Sequence, residues 1–163
     1  MPAEELRIVS FLKDLSPEEL QMFLTLLHVR EARKGERILT EGEPVHALSI
    51  VLRGTVHVRR KAGKREVMLG RIGVGGFFGE INLFDAGLAT ASILAMDNVH
   101  IGSIGHETLR TFMANNTTAG YKICAALLAE VSRRLRTTNQ RLVNAVFWAS
   151  TDATTAVRTN PED

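Results

Sequence analysis

Ten of the thirteen glycines fall between Gly54 and Gly105, none lies in residues 1–34, and only Gly120 lies beyond Gly105. Glycine is costly inside helices and useful in turns and bulges, so this distribution predicts a β centre between two helical flanks. Hydrophobic period supports the centre. Candidate strands span 37–40, 46–53, 55–60, 66–72, 91–96 and 98–104, each a two-residue alternation or a short apolar run. Turn signals at Gly42-Glu43-Pro44, Gly54, Ala62-Gly63-Lys64 and Gly73 through Gly76 separate them. Short strands at this spacing point to an all-β sandwich or roll.

The flanks carry helical signals. Ser16, Pro17 and Glu19 make a capping box with proline at the first helical position, and Leu20, Phe23, Leu24 and Leu27 follow on one face. Residues 106–114 predict a short helix, and about 119–147 a long one. Written as heptads, the long helix places Tyr121, Leu128, Leu135 and Leu142 at a, and Cys124, Val131, Thr138 and Ala145 at d. Such a stripe either packs on its own domain or joins two subunits. Its length of about four heptads favours a homodimer. The expected domain is therefore 1–147, and 148–163, with Thr, Ala, Pro and acids, reads as a disordered tail.

Composition excludes several classes. At 163 residues with 45% hydrophobic and 23% charged content, the chain is an ordinary globular domain. The longest stretches without Asp, Glu, Lys or Arg are 11 residues, too short for a membrane span. Glu4 and Glu5 precede any apolar run, so no secretory signal is read. A single cysteine, Cys124, excludes an internal disulfide and a cysteine-held cluster, and a reducing cytoplasm is the expected setting. The five histidines show no metal-binding spacing, so no metal or required cofactor is expected. No nucleophile or phosphate-loop signature is present, and the chain is not expected to be an enzyme.

Phe78-Gly79-Glu80, set within Gly75 through Phe84, carries the most specific resemblance. Lys34-Gly35-Glu36, Glu41-Gly42-Glu43, the run Leu48 through Val56, and Arg133-Arg134-Leu135 onward agree with it. The sequence resembles the cyclic nucleotide-binding domain of bacterial Crp/Fnr-type regulators. The resemblance implies a double-stranded β-helix, or jelly roll, with N-terminal helices and a long C-terminal dimerisation helix. It implies that Phe78, Gly79, Glu80, Ile81 and Asn82 begin a phosphate-binding cassette. By the same resemblance, Gly79 lets the backbone approach the ligand and Glu80 accepts from the ribose 2′-hydroxyl. Thr90, followed by Ala91, would donate to the phosphate. Thr138 and Asn139 would meet the base, one from each subunit.

Two positions depart from the family pattern. Ala89 stands where the family has arginine, and Asn82 where it usually has a small residue. Charged hydrogen bonds to phosphate are worth about 1.5–3 kcal/mol each, so ordinary cAMP binding is not expected. The family also continues into a DNA-binding helix-turn-helix. The residues after Phe147 are few and carry no helical period, so direct DNA binding is not expected of this sequence.

Arg59 through Arg65 packs five positive charges into a hairpin tip, either a solvated turn or a docking patch. The leading expectation is a non-catalytic sensor domain. It would bind a cyclic nucleotide or cyclic dinucleotide and signal to a separate protein partner through a dimeric helix. The alternative is a ligand-free dimeric adaptor.

Overall fold

The computed structural model describes the backbone of residues 3–157 and the side chains of residues 6–149. A 3₁₀ segment, Ala3–Ile8, leads into helix α1, Pro17–Thr25. The expected capping box is present. The Glu19 amide donates to Ser16 Oγ at 3.2 Å, and the Ser16 amide donates to Glu19 Oε2 at 2.7 Å.

Eight strands follow: β1 (His28–Ala32), β2 (Arg37–Leu39), β3 (Ala47–Arg53), β4 (Val56–Ala62), β5 (Arg65–Ile72), β6 (Phe77–Phe78), β7 (Ser92–Ala95) and β8 (Val99–Gly105). A single helical turn, α2 (Ile81–Phe84), sits between β6 and β7; α3 (His106–Asn115) and α4 (Thr117–Val157) close the chain. The strands form two four-stranded antiparallel sheets, ordered β1-β8-β3-β6 and β2-β7-β4-β5. Apart from the β4–β5 hairpin, consecutive strands alternate between the sheets, which is the jelly roll that the sequence implies. Val51, Val56, Phe78, Ile93, Val99 and Ile101 fill the space between them.

Aromatic edge contacts seat the opening helices on the roll. Phe11 meets Phe77 at 5.0 Å and Phe23 at 6.2 Å, and Phe23 meets Phe112 of α3 at 5.9 Å between ring centroids. β6, which leads into α2, is thereby packed from behind. The chain divides into two compact units, Met1–Ala126 and Leu127–Asp163.

Three expectations change. Residues 28–32 lie in the flank read as helical, yet they form β1. Four of its five residues are exposed and they lack alternation, so its identity comes from pairing with β8, Arg30 opposite Ile101. The two-residue strand β6 was likewise not among the predicted strands; it pairs with Ser49 and Ile50. The backbone of α4 runs to Val157, past the expected end at 147. Ala149, Ala153 and Ala156 favour helix, and the first proline beyond them is Pro161. The remainder of the expected tail, 158–163, lies outside the described residues.

Candidate ligand-binding cassette

The cassette starts where β6 ends. Gly79 has φ +84°, and a Cβ there would stand 2.4 Å from the Ala47 carbonyl oxygen, so both conformation and space require glycine. The backbone then turns through Glu80 into α2. Phe78 is buried behind the turn, and Glu80, 7% exposed, is buried at the entry to α2. Ile81 faces outward, while Asn82, also 7% exposed, is buried beside Leu83. An asparagine thus fills space where the family pattern has a small residue.

The other wall is the segment before β7. Ala89 is 5% exposed, its amide donates to the Glu43 carbonyl at 2.8 Å, and its carbonyl accepts from the Gly42 amide at 2.9 Å. Thr90 is exposed and Ala91 half-buried. Ser92 Oγ accepts from the Glu41 amide at 3.0 Å, which ties the turn before β3 to the base of the wall. Gly79 through Asn82 and Ala89 through Ala91 both belong to the compact unit Met1–Ala126, the first against Ala47 and the second against Gly42 and Glu43. The segment 77–97 contributes Glu80, Asp85 and Asp97 and no lysine or arginine.

Two residues that the sequence did not single out support this unit from α3. His106, 5% exposed, holds the Gly79 carbonyl through Nε2 at 2.9 Å. Arg110 Nη1 donates to the Leu83 carbonyl at 2.6 Å. Burial holds the His106 imidazole below its usual pKa, and the nearby positive charges of Arg110 and His46 act the same way. The Gly79 and Ala47 carbonyls oppose the shift. Only the four-residue spacing of His106 and Arg110 hinted at a shared face.

Thr138 and Asn139 lie on the second unit and are exposed, with the Thr138 hydroxyl donating to the Arg134 carbonyl at 2.9 Å. The heptad seam is also open. Leu128, Leu135 and Leu142 are 68%, 58% and 62% exposed, and Tyr121, Val131 and Ala145 are exposed with them. Cys124 differs: it is half-buried, its Sγ 3.8 Å from Met113 Sδ. A further apolar set at Val143, Val146, Phe147 and Trp148 is exposed off the seam.

The basic hairpin is partly paired. Arg60 reaches Glu41 at 3.4 Å and Arg59 reaches Glu66 at 3.9 Å, while Lys61, Lys64 and Arg65 are exposed. Among the described residues no three His, Cys, Asp or Glu side chains converge as a metal site, and no helix is long and apolar enough to cross a membrane.

Comparison with known proteins agrees with this geometry. The profile of the cyclic nucleotide-binding domain family matches residues 29–116. A CRP-like cAMP-activated global transcriptional regulator of Mycobacterium tuberculosis is 34% identical over 115 residues, covering 70% of this chain and 50% of that one. The chain thus spans about half the length of this curated relative. Among solved structures, a cyclic nucleotide-binding domain from Methylobacillus flagellatus superposes with TM-score 0.80 at 27% identity, over 88% of this chain and 83% of that one. The Thermus thermophilus catabolite activator protein superposes with TM-score 0.74, also at 27% identity, over 85% of this chain and 63% of that one. A glycine-led turn, a one-turn helix and a Thr-Ala wall inside a jelly roll, matched by the family profile over more than half the chain, show that it belongs to the Crp/Fnr-type cyclic nucleotide-binding domains.

Proposed function

We propose that this domain senses a cyclic nucleotide-like second messenger in the cassette and reports its occupancy to a separate protein through a homodimer formed along α4. The observation that carries the reading is the Gly79–Glu80 turn. A glycine pressed against the Ala47 carbonyl delivers a buried carboxylate at the entry to α2, and Thr90 stands exposed in the segment before β7. A buried carboxylate suits a ligand that donates hydroxyl hydrogens, as a ribose does. The exposed apolar seam from Leu128 to Leu142 supports the dimer. The single cysteine fits a cytoplasmic setting.

Ligand choice follows from Ala89. With amides and Thr90 but no cation at that wall, a cyclic monophosphate loses its strongest contact. A changed cassette implies a changed ligand, and a cyclic dinucleotide, which offers two bases and more hydrogen-bonding groups, is the alternative to test. Calorimetry with cAMP, cGMP and cyclic dinucleotides tests this. We expect one ligand to bind clearly better than cAMP, with Glu80→Ala weakening it. Silence across the panel would overturn the reading and leave a ligand-free adaptor.

A further inference from the structure

The supports of the cassette come from one helix. His106 and Arg110 are four residues apart on α3 and share a face. The carbonyls they hold, Gly79 and Leu83, are also four residues apart, one at each end of the turn. A carbonyl only accepts, so the proton of His106 sits on Nε2. The single turn of α2 is far shorter than a helix that sustains itself in water. It depends on bonds from outside.

The His106 bond also sets a direction. In a trans peptide the C=O and N–H point opposite ways. With the Gly79 carbonyl turned onto His106, the Glu80 N–H is turned away from α3. Glycine is the residue at which this peptide reverses most easily, because it accepts φ of either sign. The position that needs glycine for its approach to Ala47 is therefore also the weak point of the turn.

We infer that His106 and Arg110 are positioning residues for the ligand site. His106 locks the Gly79–Glu80 peptide with its N–H on the ligand side, and Arg110 pins the far end of α2 to the same helix. The inference rests on the ligand-binding reading above, although the lock exists without ligand. Where Ala89 supplies no charge, the backbone donors carry more of the binding, and their orientation matters more.

Hydrogen exchange on the ligand-free protein tests the lock directly. In His106→Ala, the amides from Glu80 to Asp85 should exchange about five- to tenfold faster, the loss expected for one hydrogen bond, while those of β3 and β8 hold. His106→Gln can donate from its side-chain amide to the same carbonyl and should restore most of the protection. Arg110→Met removes an exposed side chain and should speed exchange at Leu83 through Asp85. Unchanged exchange there would overturn the inference even if His106→Ala does not fold.

A second arm uses cAMP as the probe in the Ala89→Arg background. Adding His106→Ala should weaken binding about five- to tenfold, and His106→Gln should recover it. Faster exchange with undiminished cAMP affinity would overturn the positioning role. Failure of Ala89→Arg to bind cAMP at all would count against the ligand reading instead, and the exchange result would then decide the lock alone.

Discussion

Ala89, with both backbone groups committed to the Gly42–Glu43 turn, stands where the family resemblance implies a phosphate-pairing arginine. Its backbone bonds survive a change of side chain. Ala89→Arg should therefore raise cAMP affinity by roughly ten- to a hundredfold, the span of one charge-assisted contact, measured by calorimetry. Glu80→Ala in that background should reverse part of the gain. Tight cAMP binding by the wild-type protein would show that a cation from outside 77–97 reaches the site. His106 yields a pH prediction. Its folded pKa lies below the ordinary 6.5, so the unfolded chain takes up protons first as pH falls. Stability from this group is complete above about pH 6.5 and drains away as pH falls from there through the folded value. Melting curves between pH 7.5 and 5 should show the slope, and His106→Gln should flatten it. Gly79 with Glu80, and Ala89 with Thr90, could be proposed from the sequence because each pair sits in a short contiguous motif. His106 and Arg110 were not, since each meets its carbonyl across 27 residues of chain.

Elements were legible in proportion to their own periodicity. The β3–β4 and β4–β5 strands, their turns at Gly54 and Gly63, and the capped start of α1 follow from local pattern and turn chemistry. β1 and β6 do not: one is mostly exposed at a sheet edge and the other is two residues long. Their neighbours define them. The hairpin tip invites a direct test. Arg59 and Arg60 make single, partly exposed pairs with Glu66 and Glu41 at 3.9 and 3.4 Å, and surface pairs contribute about 0–1 kcal/mol each. Replacing Arg59, Arg60, Lys64 and Arg65 with serine should lower the melting temperature by no more than a few degrees, since 1 kcal/mol moves a domain of this size by about 2–4 °C. A larger drop in calorimetry would mean that the tip is packed. Gly79→Ala should do the reverse of such mildness: it forces an L residue to positive φ against the Ala47 carbonyl, and should cost about 1–3 kcal/mol in denaturant titration.

At the scale of the molecule, the open seam of α4 asks for a second copy. Leu135→Asp would set two charges face to face in an apolar interface, so the variant should be a largely folded monomer in light scattering, against a wild-type dimer. A monomeric wild-type protein at micromolar concentration would remove the seam from the account. The heptads made this stripe visible, but the exposed set from Val143 to Trp148 escaped them because it lies off the a and d positions. The Glu19 carboxylate that caps α1 also accepts from Lys122 Nζ at 2.8 Å, 103 residues along the chain. The cap closes a loop of three residues and can form early; the Lys122 contact closes nearly the whole domain and can form only once the roll has brought its ends together. Ser16→Ala should therefore slow folding, whereas Lys122→Met should leave the folding limb of a chevron in place and raise the unfolding rate, so that the last bond made is the first one lost.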